Sequence, residues 1–389
     1  MQILMVQRFD IANVGCAERI WRQAEELSSR GHEITLVNYP HAERRESVPR
    51  LRPDAPDGVR IIELDRRGTA IRRNTCVLRE ETAEADLVHL WKAYPDTALP
   101  TLYAIQSRPK PFHYDWDDLE GGPGGIAARL TDSRLAAGLL SYWENEILGW
   151  TDTITTASAP LHDLCLEAGI TEDRLFDGTV GAVVPKLAES QVRRWQEEIG
   201  DARAILFLGQ LEADDFPVAI LEAFTEVRKN HPDVVFYIAG DGQARPELEK
   251  KVAEFGLEAS CRFTGYLGRE DAQALMAVSS LFLFPLRDDS MSRCKSPLVV
   301  AEAMSHGLPI VASEVGEIPR MLGDSGHLVS GLDPKSWANS LGEILDSPEK
   351  AREMGERAKQ RFLDHMTWRA HVDRLEQAYK KASEMAANA

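Results

Sequence analysis

The sequence has few cysteines and no long apolar run, and each shortage excludes a class of protein. Its five cysteines are scattered over 389 residues without a Cys-x-x-Cys pair, which argues against structural zinc and against a disulfide framework. No apolar stretch is long enough to cross a bilayer. The first residues lack the basic region and the small-residue cleavage site of a signal peptide. We therefore expect a cytoplasmic protein, with peripheral attachment to the inner face of the membrane left open.

Positive charge is also scarce. Lysine and arginine together number 45, against 62 aspartates and glutamates, and the formal net charge is −17. A protein that binds nucleic acid neutralises phosphates with a basic surface, so the charge balance argues against a nucleic-acid partner. The same balance disfavours a broad electrostatic contact with anionic lipid, although a local basic patch would still permit one.

What the sequence does contain is a regular alternation of β-like and helical segments. Residues 3–6 have the pattern of a strand, a helix opens at Gly15 and closes before Gly31, and residues 33–37 have the pattern of the next strand. Similar runs recur along the whole chain. Strands that alternate with helices at this spacing predict a parallel, doubly wound sheet. A chain of this length predicts two such α/β domains.

The domain boundary is predicted near residue 180. Residues 177–185 carry glycine and proline and fit an interdomain connection, and the β–α alternation restarts after them. We therefore predict an N-terminal α/β domain over 1–180 and a C-terminal α/β domain over 181–367. The helical pattern of 368–389 either caps the second domain or crosses back to the first.

The most informative segment is 287–321. A polar loop that contains Lys295 runs into an apolar helix with one acid, Glu302. The first N–H groups of a helix, here those of Leu298 and Val299, lack partners and lie at the positive end of the helix dipole, which suits a phosphate. Lys295 would add a positive charge there, and Glu302 could accept hydrogen bonds from a pair of sugar hydroxyls. The alternative is that this helix only packs in the core and that Glu302 has no role in binding a ligand.

Three strand ends in the second half carry glycines. We expect them to converge, because ligands of parallel sheets bind at the carboxyl ends of the strands. Each strand end alone is a common turn, but their order, followed by Lys295 and Glu302, predicts a nucleotide site. Backbone groups after the third strand could read a base. The residues concerned are Gly209, Gln210, Gly240, Asp241, Gly265, Tyr266 and Leu267.

Together these segments resemble the retaining nucleotide-sugar glycosyltransferases of family four, whose GT-B fold has two Rossmann-like domains facing each other across a cleft. The resemblance implies transfer of a sugar from a nucleoside diphosphate sugar, UDP- or GDP-linked, to an acceptor hydroxyl with retention at the anomeric carbon. It implies neither a cofactor nor a metal. The acceptor stays open among a glycan, a lipid-linked molecule and a small molecule. The matching segments are 15–19, 31–37, 208–211, 238–242, 263–267 and 296–313.

The resemblance also implies roles for individual residues. Lys295, with Arg293, would balance the charge of the donor diphosphate. Glu302 would hold the ribose, and residues 265–267 would hold the base. Gly15 lies in a loop where the family often has paired glycines, and it would also border the donor.

The sequence departs from the family at the expected diphosphate contacts. The family usually has an arginine and a lysine where this chain has Gln210 and the pair Asp214–Asp215, and the first of its two spaced glutamates is Cys294 here. Arg293 and Lys295 are instead similar to a subset with an Arg-x-Lys-x-Pro loop. The missing cations keep open a catalytically degenerate protein that acts as a binding or scaffold partner. An inverting or epimerase-type relative is a third possibility.

That subset also has an acidic run in its first domain, matched here by residues 114–118. The carboxylates of Asp115, Asp117 and Asp118 follow a strand and are expected at the sheet edge that faces the cleft, where one could act as a base or orient an acceptor hydroxyl. We favour Asp115, because the sheet edge fixes the first carboxylate most firmly. The alternative makes Asp117 or Asp118 the cap of a helix that follows directly. His113 lies near a functional histidine of the family, or it is a packed core residue.

Overall fold

A computed structural model describes all residues except 12–14, 41–54, 66, 123, 128–132, 212–215 and 389. The chain divides into two compact units. The sequence-based boundaries differ from this division mainly at residues 293–296, which they assign to the C-terminal domain. The first unit comprises Met1–Gly181, Arg293–Ser296 and Trp368–Ala389, and the second comprises Ala182–Ser292 and Pro297–Thr367.

The first unit is built on a sheet of seven parallel strands in the order β3-β2-β1-β4-β5-β6-β7. β1 and β4 are neighbours, and the strand order runs outward from them in both directions, so the switch point of the sheet lies between these two strands. The strands are β1 (Gln2–Val6), β2 (Glu33–Asn38), β3 (Val59–Glu63), β4 (Leu87–Trp91), β5 (Phe112–Trp116), β6 (Thr153–Thr156) and β7 (Leu175–Asp177).

Helices pack against this sheet and bury its central strands. Ile3 on β1 and Ile20 on the first helix share an apolar cluster with Val372, Leu375 and Tyr379 of the last helix. The last helix therefore belongs to the first unit, although it ends the chain. The helices of this unit are α1 (Glu18–Ser29), α2 (Ile71–Glu84), α3 (Pro95–Ser107), α4 (Arg134–Trp150), α5 (Ala159–Glu167) and α15 (Trp368–Asn388).

The second unit is built on six parallel strands in the order β10-β9-β8-β11-β12-β13, with its switch point between β8 and β11. Its strands are β8 (Arg203–Leu208), β9 (Val234–Ala239), β10 (Cys261–Gly265), β11 (Leu281–Phe284), β12 (Ile310–Ser313) and β13 (His327–Val329).

The helices of the second unit alternate with these strands. Two doubly wound parallel α/β sheets were predicted from the alternation in the sequence, and that prediction is confirmed. No helix in the described ranges is both long and apolar enough to cross a membrane. The helices are α6 (Glu189–Ile199), α7 (Ala219–Asn230), α8 (Arg245–Glu254), α9 (Arg269–Val278), α11 (Leu298–His306), α12 (Ile318–Leu322), α13 (Pro334–Asp346) and α14 (Pro348–His365), and the short α10 (Ser290–Cys294) spans the division between the units.

Candidate functional site

The loops after β8, β9 and β10 are tied together at one edge of the second sheet. Gly209 donates its N–H to the Ala239 carbonyl at 3.0 Å, and Gly240 donates its N–H to the Gly265 carbonyl at 2.9 Å. The structure thus brings the three glycine-bearing strand ends together. Backbone atoms, rather than side chains, form this part of the edge.

Gly240 cannot be replaced by a larger residue without moving the backbone. Its φ is +140°, a conformation that residues with a side chain rarely adopt. A Cβ atom there would lie 1.8 Å from the carbonyl oxygen of Gly209, and one at Gly242 would lie 2.4 Å from the carbonyl oxygen of Leu211. The loops approach each other this closely only because both positions are glycine.

The side chains around this edge leave it open to solvent. Tyr266 is 60% exposed, Gln210 is exposed, and Leu267 is half-buried. Asp241, also exposed, accepts the next backbone N–H at 2.9 Å, and its second oxygen lies 3.6 Å from Arg245. A ligand could therefore contact the backbone and the Tyr266 ring without displacing a packed side chain.

Helix α11 begins at Leu298 after an extended Pro297 and ends at His306, and Gly307, with a φ of +71°, forms a left-handed C-terminal cap. Leu298 and Val299, at the start of the helix, are half-buried. The N–H groups at the start of a helix have no carbonyl one turn back, so those of Leu298 and Val299 are available to an anion. Glu302 is half-buried on the next turn.

The segment Arg293–Ser296 groups with the first unit, not with the second. The hydroxyl of Ser158 donates to the Cys294 carbonyl at 2.9 Å, and the Cys294 side chain is part of the apolar core of the first unit. The positive charge of Lys295 helps to lower the pKa of Asp118. Lys295 therefore lies within electrostatic range of Asp118.

Asp115, at the carboxyl end of β5, is fully buried and accepts hydrogen bonds from three side chains. Arg19 donates to both of its carboxylate oxygens at 2.8 and 2.7 Å, Gln23 donates at 2.8 Å, and Thr155 donates at 2.7 Å. Burial alone would raise the pKa of Asp115, but the Arg19 guanidinium holds it well below its usual range. These contacts argue against the predicted contact of Asp115 with an acceptor, because its oxygens already serve the protein. Its geometry is that of a positioning residue.

His113 is also fully buried. Its two ring nitrogens lie 3.0 Å from the Thr153 hydroxyl and 3.1 Å from the Thr155 hydroxyl, and its ring lies 5.1 Å from that of His89. Burial and the neighbouring His89 hold the pKa of His113 well below its usual range, so the imidazole is neutral. Of the two interpretations left open by the sequence, this geometry favours the packed core residue.

Lys92 is a cation of this region that the sequence analysis missed. It follows β4 directly, it is buried, and its φ of +59° is unusual for a residue with a side chain. Its ammonium lies 2.6 Å from both Asp118 and Glu120, and Glu120 also accepts a short hydrogen bond from the Tyr94 hydroxyl. A lysine immediately after an apolar β-run was the signal that could have revealed it.

Asp117 differs from its neighbours. Its carboxylate lies 3.5 Å from Nη1 of Arg19, and its side chain is 15% exposed. The alternative interpretation, that Asp117 or Asp118 caps a helix directly after it, is wrong, because none of the described residues from 119 to 125 is helical. The acidic run is therefore an ionic cluster at the carboxyl end of β5 and just beyond it.

Of the remaining predicted positions, Gly15 is described by the structure and Asp214 and Asp215 are not. Gly15 begins a 3-10 turn, Gly15–Ala17, that leads into α1. Asp214 and Asp215, which stand where the family usually has a lysine, lie outside the described residues. Within the described part of the chain, no group of His, Cys, Asp and Glu has the arrangement of a metal site.

Comparison with known sequences finds a family similarity in the second half of the chain. Residues 202–347 match the family Glycosyl transferases group 1. The D-inositol 3-phosphate glycosyltransferase of Corynebacterium kroppenstedtii is 28% identical over 207 residues, which are 50% of this chain and 45% of that protein. The alpha-D-kanosaminyltransferase of Streptomyces kanamyceticus is 29% identical over 179 residues, 44% of this chain and 45% of that protein. The chain thus spans less than half the length of these curated relatives.

Comparison with solved structures extends the likeness to the whole chain. A glycosyltransferase from Rickettsia africae has a TM-score of 0.76 at 15% identity, over 98% of each chain. HepE of Anabaena, solved in complex with UDP and glucose, has a TM-score of 0.73 at 15% identity, over 98% of this chain and 99% of that chain. At this level of identity the likeness concerns the fold. Residues 202–347 are therefore similar to the family Glycosyl transferases group 1, and the chain as a whole has the GT-B fold.

Proposed function

We propose that the protein is a retaining glycosyltransferase that moves a sugar from a nucleoside diphosphate sugar to an acceptor hydroxyl. The proposal rests on one observation. The segment that matches the family Glycosyl transferases group 1, residues 202–347, includes the strand ends where Gly209, Gly240 and Gly265 form an open backbone edge. The carboxyl ends of strands in an open α/β sheet are where nucleotides bind. The complex of HepE with UDP and glucose supports a donor of this chemical class.

The proposed donor site follows from the chemistry of the reaction. As the sugar leaves, the diphosphate gathers negative charge, and donors held in place around it supply most of the catalysis. We assign this role to the N–H groups of Leu298 and Val299, with Lys295 and Arg293 as the cations. Glu302 would accept hydrogen bonds from the ribose hydroxyls. The remaining donor contacts are proposed for Gly15, Gly209, Gln210, Gly240, Asp241, Gly265, Tyr266 and Leu267.

A catalytically degenerate protein is the second candidate, and Gln210 favours it. This exposed residue brings no positive charge to a place where the family usually has an arginine. A binding or scaffold protein could keep the fold and still lose the transfer.

Calorimetric titration with UDP and with GDP tests the proposal, and ADP serves as the control for base selection. We expect one of the two to bind with a dissociation constant on the order of micromolar to millimolar, the range usual for enzyme substrates. Release of nucleotide from UDP-glucose or GDP-mannose, with water as the acceptor, then separates an enzyme from a scaffold. Binding without release supports the scaffold, and absence of binding by both nucleotides overturns the proposal.

The stereochemical part has its own test. Once a donor is found, NMR spectroscopy of the first product formed gives the configuration at the anomeric carbon before the free sugar equilibrates. Retention predicts an α product from an α-linked donor. A β product would assign the enzyme to the inverting class.

A further inference from the structure

A crevice opens in the first unit beyond the carboxyl ends of β1, β4 and β5, and it spans the switch point of the sheet. Its walls include Arg8 after β1, Tyr94 after β4, Ile126 after β5 and Leu140 on α4, and its volume is about 340 Å³. Switch points are where open α/β sheets bind ligands, and small-molecule sites usually measure about 300–1,000 Å³. All of these walls belong to the first unit.

Two walls of the crevice, α4 and the loop after β5, are tied to each other. The buried carboxylate of Glu144 on α4 accepts the N–H groups of Glu120 and Gly121, at 2.8 and 2.5 Å. A Cβ at Gly121 would lie 2.3 Å from Cα of Ser141, so the loop lies directly on the helix. Ala127 donates its N–H to the Glu120 carbonyl at 2.8 Å. The crevice is therefore pre-formed, and a ligand would lose little binding free energy to the ordering of its walls.

Most of the lining is apolar. An alkyl or aryl group placed there would leave water, and burial of apolar surface is the main source of affinity in sites of this kind. The apolar lining residues are Pro95, Ile126, Ala127, Ala136, Leu139 and Leu140.

The polar end of the crevice is Arg8. Its guanidinium lies 4.2 Å from the centre of the Tyr94 ring, and its Nε donates to Asp96 at 2.9 Å. A guanidinium carries five N–H donors, but the two Nη groups of Arg8 have no acceptor within the part of the chain that the structure describes. The Tyr94 hydroxyl already donates to Glu120, whose carboxylate also accepts from Lys92. Arg8 is therefore the side chain that offers unused donors to a ligand.

The charges around Arg8 favour an uncharged ligand. Asp96 already balances Arg8, and Lys92 balances Glu120. An anion on Arg8 would lie near the carboxylates of Asp96 and Glu120, whereas a cation would be repelled by Arg8 and would leave its Nη groups unpaired. A hydroxyl or carbonyl oxygen accepts hydrogen bonds from the Nη groups without bringing a charge.

We propose that this crevice binds an uncharged amphipathic molecule. Its alkyl or aryl group lies between α4 and the loop after β5, and its hydroxyl or carbonyl oxygen accepts hydrogen bonds from Arg8. The site goes beyond the proposed transfer of a sugar and does not depend on it, because neither a nucleotide nor the second unit takes part in this binding.

Hexan-1-ol is the probe, and hexanoate and hexylammonium carry the same alkyl chain with a negative or a positive charge. Each is titrated without nucleotide into the full chain, labelled with ¹³C in the methyl groups of isoleucine and leucine. We expect hexan-1-ol to shift the NMR signals of Ile126 and Leu140, with an affinity higher than that of either charged probe by about tenfold. Equal or tighter binding of a charged probe, or signals of Ile126 and Leu140 that stay in place, overturns the inference.

Two substitutions test the two ends of the crevice. Arg8→Met keeps an extended side chain and removes the donors, so the affinity for hexan-1-ol should fall by about tenfold, the effect of losing one hydrogen bond from a charged donor. Ala136→Phe, at an exposed position of α4, places a ring in the crevice and should abolish the shifts. Leu135→Phe is the matched control, because Leu135 is 82% exposed on the same helix and does not line the crevice.

The urea midpoint of each variant shows whether the first unit is still folded. Should Ala136→Phe unfold early, Arg8→Met decides, because its side chain is 29% exposed and can be replaced without opening the core. A folded Ala136→Phe protein that binds hexan-1-ol as well as Leu135→Phe does, or an unchanged affinity in Arg8→Met, overturns this inference. Either result leaves the proposed function standing, since nucleotide binding and donor hydrolysis are measured separately.

Discussion

In the buried ion pair between Asp115 and Arg19, each charge is stabilised mainly by the other. Both side chains are at least 97% buried, so neither charge has water as an alternative partner. The pair links β5 to α1, and Arg19 also donates to the Gly178 carbonyl at 2.8 Å. A buried pair of this kind contributes little compared with an apolar pair of the same size, but loss of one member leaves the other charge uncompensated.

Asp115→Asn should therefore destabilise the first unit rather than remove an acceptor contact. We expect a loss of about 3–5 kcal/mol in the free energy of unfolding, the usual effect of breaking a buried ion pair. The measurement is the first unfolding transition in urea, with Asp163→Asn as the exposed control. An unchanged transition together with a large loss of transfer would restore the acceptor-contact role for Asp115.

Lys295→Ala should leave the fold intact and remove most of the transfer. The half-buried lysine is proposed to balance the charge that develops on the diphosphate, and losing one such group typically lowers the rate by on the order of 10²–10³. Lys380→Ala, at an exposed lysine on α15, is the matched control. Equal rates for the two variants would mean that the phosphate is held by other groups.

Residue types and their order in the chain predicted that the acidic run follows a strand and that the glycine-bearing strand ends converge. The contacts of Asp115 could not be predicted, because Arg19 is 96 residues away in sequence and approaches β5 only through the strand order of the sheet. The ion pairs of Lys92 could not be predicted for a related reason. Its ammonium is neutralised by carboxylates 26 and 28 residues further along the chain.

At the scale of elements, the backbone edge after β8, β9 and β10 depends on glycine. The alternation of strands and helices was visible in the sequence because buried parallel strands form continuous apolar runs. The grouping of Arg293–Ser296 with the first unit was not visible. Cys294 packs into the core of that unit, whereas its neighbours in sequence belong to a loop and helix of the second half.

Gly240→Ala tests the backbone edge directly. A Cβ at this position would lie 1.8 Å from the Gly209 carbonyl oxygen, so the β9 loop has to move away from β8. We expect nucleotide binding to be lost and the second unit to be destabilised by about 1–3 kcal/mol, the usual cost of a strained backbone. Gly268→Ala is the matched control, because a Cβ there meets nothing within 4 Å and its φ is −63°. Similar calorimetric affinities for the two variants would place the nucleotide away from this edge.

At the scale of the whole molecule, the chain passes between its two units four times, after residues 181, 292, 296 and 367. The first unit is therefore completed by two segments from late in the sequence. One of them, α15, brings His371 to Gln23 and to the Thr179 carbonyl, at 2.9 Å in both cases. Since a carbonyl only accepts, Nδ1 of His371 is the donor, and Nε2 of the neutral ring accepts from Gln23.

His371 joins His89 and His113 as a buried, neutral histidine of the first unit. Burial lowers the pKa of His89 to about 4, and burial with the charges of Arg19 and Arg374 lowers that of His371 to about 3. Unfolding exposes these groups, whose pKa then returns to its ordinary value near 6.5. Between these values the unfolded chain binds more protons, so each histidine makes the folded state less stable as the pH falls.

Two buried acids act in the opposite sense. Burial raises the pKa of Glu144 to about 7 and also raises that of Asp117, so in mild acid the folded state binds protons that the unfolded chain does not. The pH dependence of the wild type alone therefore combines opposing contributions from several histidines and acids, among them also His306 and Asp152. A single substitution is needed to isolate one histidine.

His371→Asn isolates it, because the amide keeps a donor near the position of Nδ1 and does not titrate. Below about pH 6.5 the wild type should lose stability more steeply than the variant, by about 1.4 kcal/mol per pH unit, the effect of one proton. Above that pH the two curves should run parallel, even if the variant is less stable throughout. Urea unfolding of both proteins between about pH 7.5 and about pH 5 measures the difference in slope. Parallel curves over the whole range would mean that His371 is already protonated in the folded protein or is exposed to solvent. In that case the contacts of His371 with Gln23 and with the Thr179 carbonyl would be wrong.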